Sequence, residues 1–204
     1  AMAFARGASA VMVDRPVNGP HILVEDTSIA LELLAKAARN RADATIIGVT
    51  GSVGKTGVKE AIFAALDRSS RGKAHRSVKS YNNHVGVPLS LARMPARAKF
   101  GVFEMGMNHE GEIRYLTHIA QPSVAVVNNA GTARIGEVGS REGIARAKGE
   151  IFEGLVEGGL AVVNADDDFA DYWQSLNKNR KVITFGLNTK ADVSATYQTL
   201  QDAS

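Results

Sequence analysis

Short apolar runs alternate along this chain with longer stretches whose apolar residues recur every three or four positions, the two periods of strand and helix. The runs at 8–14, 44–50, 73–79, 99–105, 123–129, 160–166 and 181–187 predict strands. Helices are predicted to begin near Ser28, Lys55, Gly86, Glu110, Ser140 and Asp167. Helical spacing is plain in Ile113, Leu116 and Ile119, and again in Ile144, Ile151 and Leu155. The later strands are almost wholly apolar rather than alternating, as a sheet covered on both faces requires. Strands and helices in turn predict an α/β fold with an open, mainly parallel sheet and helices on both faces. The polar stretch 40–43 follows a helix and reads as a junction. Residues 1–42 hold too little to bury a core alone. They are expected to be the tail of a preceding domain, with 43–204 forming the main one. The segment from Asp192 alternates like a strand and then stops.

Composition narrows this picture in three ways. No cysteine is present, which excludes from this chain a disulfide framework, a thiolate metal site and a cysteine nucleophile. The net charge is only +3 and the basic residues do not cluster, so no nucleic-acid partner is expected. The apolar stretch 1–13 is interrupted by Arg6 and is too short to span a bilayer, so a cytoplasmic protein with no membrane insertion is expected.

Glycine is abundant, 20 of 204 residues, and several glycines sit where chemistry is expected. The predicted strand 44–50 runs into Gly51, Ser52, Val53, Gly54, Lys55, Thr56 and Gly57, and a helix follows. Glycines let backbone N–H groups turn inward around phosphate oxygens, and a helix N-terminus adds positive potential. The lysine neutralises β/γ charge, and the threonine hydroxyl can ligate Mg²⁺. The spacing is a variant of the usual phosphate loop, because Val49 stands where the first glycine is common and the flanking glycines are Gly48 and Gly51.

Further polar segments close other strands: Asn82, Asn83 and His84; then Glu104, Asn108 and His109; then Asn128 and Asn129. Open α/β sheets bind ligands beyond the carboxyl ends of their strands, so these segments are expected to meet the loop in one crevice. Glu104 follows an apolar run and offers a hard oxygen to a magnesium ion. The asparagines serve equally well as turn formers. Lys148 shares a helical stripe with Ile144, Ile151 and Leu155, spaced 4, 3 and 4. Either its stem packs while its ammonium reaches water, or partial burial leaves more of the reactive neutral amine.

Matched in order over 46–166, the motifs Gly-x-x-Gly-Lys-Thr, Asn-Asn-His-x-Gly-Val-Pro-Leu, Glu-x-Gly-x-Asn-His-x-Gly-Glu-Ile and Ala-Lys-Gly-Glu-Ile-Phe resemble the Mur ligases of peptidoglycan synthesis. The resemblance implies the family's central ATP-binding domain, preceded by the end of its UDP-binding domain. It also implies an ATP-dependent ligase that activates a carboxylate as an acyl phosphate for attack by an amine. The branch resembled joins D-alanyl-D-alanine to a UDP-N-acetylmuramoyl-tripeptide. On this resemblance Lys55 and Thr56 hold ATP and Mg²⁺, while Glu104 and Lys148 serve the metal, Lys148 as a carbamate. Asn82, Asn83 and His84 face phosphates and sugar, and Asn108 and His109 belong to a substrate-side motif; the sequence leaves the oligomeric state open, with a monomer the expectation. Val53 and Gly57 replace residues common in the family, and Arg134 replaces a metal-binding histidine. Competing readings are a nucleotide-binding module that does not turn over, a folylpolyglutamate- or cyanophycin-type ligase, and a kinase or GTPase switch. Against the switch, the sequence shows no strand ending in a Walker-B aspartate and no Asn-Lys-x-Asp.

Overall fold

The computed structural model describes residues 2–131 and 139–197. Its elements are α1 (Met2–Ala5), β1 (Val11–Val13), β2 (His21–Leu23), α2 (Thr27–Arg41), β3 (Thr45–Thr50), α3 (Lys55–Ser69), β4 (Ala74–Arg76), α4 (Gly86–Ala92), β5 (Phe100–Glu104), α5 (Glu112–Ala120), β6 (Val124–Val127), α6 (Arg141–Gly149), a 3₁₀ turn (Glu150–Gly154), β7 (Leu160–Asn164), α7 (Ala170–Ser175), β8 (Lys181–Gly186) and β9 (Val193–Ser194). β1 and β2 form a small parallel pair of their own. The other seven strands make one sheet in the order β4-β5-β3-β6-β7-β8-β9, parallel throughout.

Right-handed crossovers decide where the helices go. The chain leaves β3 toward β4 in one direction and then returns through β5, β6, β7 and β8 in the other. α3 therefore lies on one face, while α4, α5, α6 and α7 lie on the opposite face. Burial follows that division. Ile47, Val49, Val102 and Val126 pack under Val58, Ile62 and Leu66 of α3. Ile46, Phe103, Ala125 and Val127 belong to the larger core built with Leu91, Leu116, Ile144 and Trp173. α2 lies before the expected junction at 40–43 and packs on the larger face, against α4 and α5. Arg39 Nε donates to the Ala120 carbonyl at 2.9 Å, and Tyr115 Oη donates to Glu32 at 2.9 Å.

Several boundaries differ from those the periodicity predicts. The run at 8–14 yields only three strand residues, and 73–79 yields Ala74–Arg76. The short pair-forming strand His21–Leu23 was not expected. α5 starts at Glu112 rather than Glu110, because Gly111 at φ +90° turns the chain immediately before it. α7 starts at Ala170 because Asp167 spends its carboxylate on the N–H groups of Phe169 and Ala130, forming a turn instead. The expected stripe from Ile144 to Leu155 is not one α-helix. α6 ends at Gly149 and tightens into the 3₁₀ turn, where Thr117 Oγ1 donates to the Ile151 carbonyl at 2.7 Å. Gly154 abuts the Thr117 backbone so closely that a Cβ there would lie 2.4 Å from its carbonyl oxygen. Among the described residues, no helix is long and apolar enough to cross a membrane.

Candidate active site

β3 and β5 are neighbours, yet the helices that follow them, α3 and α5, leave to opposite faces. This opens a crevice at their carboxyl ends, the switch point where α/β sheets take ligands. The glycine-rich loop, the loop after β4 and the ends of β5 and β6 all border it. Gly54 caps α3 at φ +78°, a left-handed conformation that glycine adopts without strain. Gly51 passes close to β6, since a Cβ there would stand 3.0 Å from Asn128 Cβ. Gly48 lies inside β3 and packs against Met105 and Ile151, so it serves packing rather than the loop.

The asparagine pair after β6 shapes the loop crest. Asn129 Oδ1 accepts from Ser52 N at 2.9 Å and Val53 N at 3.0 Å. The Val53 carbonyl accepts from Asn128 Nδ2 at 3.1 Å and Asn129 Nδ2 at 3.2 Å. Val53 itself is exposed, so its side chain does not enter the loop's hydrogen bonding. Gly57 is exposed in the first turn of α3, with open space around it. Lys55 Nζ donates to the Gly51 carbonyl at 2.8 Å, holding the ammonium over the loop.

Glu104 is 1% exposed and ends β5, paired with Val49 of β3. Its Oε2 accepts from Thr56 Oγ1 at 2.8 Å and its Oε1 from Asn82 Nδ2 at 2.7 Å. The place beside the phosphate loop that the sequence seemed to leave without a Walker-B aspartate is thus taken by a glutamate. Mg²⁺ prefers a few oxygen donors completed by phosphates and water. A hydroxyl and a carboxylate 2.8 Å apart at the mouth of a phosphate loop fit such an ion. Among the described residues, no three His, Asp or Glu side chains converge into a ready-made cage, so phosphate oxygens would have to complete the shell.

The remaining expected residues divide. Asn83 caps α4 through Oδ1, accepting from Gly86 N at 2.8 Å, while His84 is exposed on the next residue. Asn108 and His109 are exposed on the loop before α5, and Asn108 N donates to Glu112 Oε2 at 2.6 Å. Lys148 is buried, at 4% exposure, in the last turn of α6. Arg134 lies outside the described residues.

Two contributors escape a reading of the sequence. Lys59, 0% exposed, lies 3.7 Å from Glu104 Oε2. Its one signal in the sequence is its position three residues after Thr56, on the same helical face. Glu150, 3% exposed, caps α5 from a distance, accepting from Gly111 N at 2.8 Å and Arg114 N at 3.0 Å. Burial pushes its carboxyl above the usual carboxylate range, while these N–H groups pull against that. Glu150 thereby joins the Ala-Lys-Gly-Glu motif to the loop carrying Asn108 and His109.

Residues 49–204 match the Mur ligase middle domain. The chain is 41% identical over 195 residues to the UDP-N-acetylmuramoyl-tripeptide–D-alanyl-D-alanine ligase of Escherichia coli K12, covering 94% of this chain and 43% of that protein. A crystal structure of MurF from Acinetobacter baumannii superposes with a TM-score of 0.82 at 37% identity, over 95% of this chain and 42% of that one. The ADP complex of MurF from Thermotoga maritima gives 0.77 at 33% identity, over 92% and 43%. The chain thus spans less than half the length of these relatives. The phosphate loop, the strand-end glutamate and the motif order agree with this match, and the chain belongs to the Mur ligase family.

Proposed function

We propose that this chain is the nucleotide-binding part of an ATP-dependent ligase that adds D-alanyl-D-alanine to a UDP-N-acetylmuramoyl-tripeptide through an acyl phosphate. The carrying observation is the hydrogen-bonded set Thr56–Glu104–Asn82 beside the Gly51–Thr56 loop. The relatives' names support the choice of substrates, and the Thermotoga maritima complex supports adenine nucleotide as the bound partner.

Phosphoryl transfer to a carboxylate brings anions together, so positioning and charge compensation carry the catalysis. The N-terminus of α3 faces the nucleotide phosphates, and Lys55 exchanges the Gly51 carbonyl for a β/γ oxygen. Asn128 and Asn129 hold the loop crest in shape, so little ordering remains to be done on binding. Thr56 and Glu104 would hold a magnesium ion, which when bound would offset charge on the transferring phosphoryl group. Thr56 donates its hydroxyl proton to Glu104, which leaves its oxygen lone pairs available, and Asn82 fixes the other carboxylate oxygen. Lys148, buried in the last turn of its helix, would as a carbamate supply a second anionic group for the metal. His84, Asn108 and His109 are exposed and would meet the substrate. Residues 1–42 belong to the domain that holds the UDP group, with α2 as the element docked on this one.

Incubating the full-length protein with ATP, Mg²⁺, UDP-N-acetylmuramoyl-tripeptide and D-alanyl-D-alanine tests this reading. The expected product is the pentapeptide nucleotide with one ADP and one phosphate per bond. Tight ATP binding without product would favour the module that does not turn over.

A further inference from the structure

Lys59 is buried completely, 3.7 Å from the carboxylate proposed above to hold the metal. A buried ammonium is expensive unless oxygens surround it. Here Nζ donates to the carbonyls of Ser77, at 3.0 Å, and Lys79, and lies 3.1 Å from Glu60 Oε1 and 3.7 Å from Glu104 Oε2. The two carbonyls belong to the segment that leads from β4 to Asn82, so the ammonium is tied to the loop that also holds Glu104. Thr56 and Lys59 stand three apart on α3 and address the same carboxylate oxygen.

We propose that Lys59 is a positioning residue that acts as an internal counter-ion. It keeps the Glu104 position close to neutral in the absence of nucleotide, so that a divalent cation is retained only together with phosphates. This rests on the reading of Glu104 as a metal ligand. Arg76 Nε lies 2.8 Å from Glu60 Oε2, so two cations face the two carboxylates, and a cation arriving alone meets a Glu104 whose charge is already balanced. Like charges held close in a buried site repel strongly. Nucleotide phosphates add several negative charges on the side of the exposed Thr56, which contacts Glu104, and reverse that balance. Metal and nucleotide then enter as one complex, and the empty site does not trap metal.

The test uses the full-length protein without nucleotide and Mn²⁺ as the probe, with binding followed by calorimetry and electron paramagnetic resonance. Lys59→Met is expected to bind Mn²⁺ at least tenfold more tightly than wild type, and Lys59→Arg to remain as weak as wild type. Adding Glu104→Gln to Lys59→Met is expected to abolish the gain. Saturating ADP is expected to shrink the difference between wild type and Lys59→Met. Unchanged or weaker Mn²⁺ binding by folded Lys59→Met overturns the inference, as does an equal gain in Lys59→Arg. If Lys59→Met does not fold, the double variant decides. Recovery of folding by Lys59→Met with Glu104→Gln supports the ionic coupling, and failure to recover overturns it. A gain that survives Glu104→Gln instead removes Glu104 from the metal site. Wild-type ligation, measured in parallel, stands or falls with the proposed activity independently of these outcomes.

Discussion

Gly106 offers a way to move Asn82, which donates to Glu104, without touching it. An added Cβ at this position would lie 2.8 Å from Asn82 Cγ and Oδ1, and 3.1 Å from Nδ2. Carbon atoms in contact settle at about 3.5–4.0 Å, so the amide must retreat by roughly 0.5 Å or more. Gly106 N also donates to the Asn82 carbonyl at 2.8 Å, so the two backbones cannot simply part. The side chain yields, and its 2.7 Å bond to Glu104 Oε1 is lost. A hydrogen bond to a charged group is worth about 1.5–3 kcal/mol, which corresponds to about a 10- to 150-fold fall in kcat/KM for Gly106→Ala. The assay is ligation by the full-length protein across a magnesium titration, run as a cycle with Asn82→Ala. The single variants should fall by similar factors, and the double variant should be no worse than Asn82→Ala alone, because no amide remains to displace. Fully additive losses, or a Gly106→Ala enzyme as active as wild type, would refute the reasoning.

Other consequences follow from the same geometry. Lys148→Ala should abolish ligation while ATP binding is largely kept, with short carboxylates restoring part of the turnover; failure of every carboxylate to do so contradicts the carbamate role. Glu150→Ala removes the distant cap of α5 and strands the N–H groups of Gly111 and Arg114. With caps worth about 1–2 kcal/mol, a fall of about 2–8 °C in the unfolding temperature is expected by calorimetry. The N–H groups of Leu187, Asn188 and Thr189 hold the Asp166 carboxyl below its ordinary value. Its contribution to stability is therefore present above the ordinary value of 3.8 and is lost as pH falls through the lower folded value. Asp166→Asn should flatten that part of a plot of unfolding temperature against pH, and an unchanged slope contradicts the assignment.

The glycine-rich loop between strand and helix was legible in the sequence because its signal is local: Gly54, Lys55 and Thr56 specify a turn, a charge and a hydroxyl within three residues. The parallel sheet was legible because wholly apolar strands alternate with helical spacing. What escaped depends on contacts far apart in the chain. Lys59 reads as one more helical lysine until β4 and β5 place carbonyls and Glu104 around it. Glu150 reads as a solvated acid in a helical stripe until the 3₁₀ turn brings it under α5, 39 residues from Gly111. Glu104 gains its Walker-B-like place only from the strand order, which puts β5 beside β3. Asn83 shows the converse, since its amide caps α4 through neighbours two and three residues away. A turn-forming role for it was already open from the sequence.

The central claim is that a carboxylate is phosphorylated in the crevice between β3 and β5, and isotope transfer tests it most directly. The full-length protein is supplied with UDP-N-acetylmuramoyl-tripeptide labelled with ¹⁸O in its terminal carboxylate, together with ATP, Mg²⁺ and D-alanyl-D-alanine, and the released phosphate is analysed by mass spectrometry. One ¹⁸O atom per phosphate is predicted, because the oxygen that bridges carbon and phosphorus in the acyl phosphate leaves with phosphorus when the amine attacks. Peptide formation with unlabelled phosphate would contradict the account.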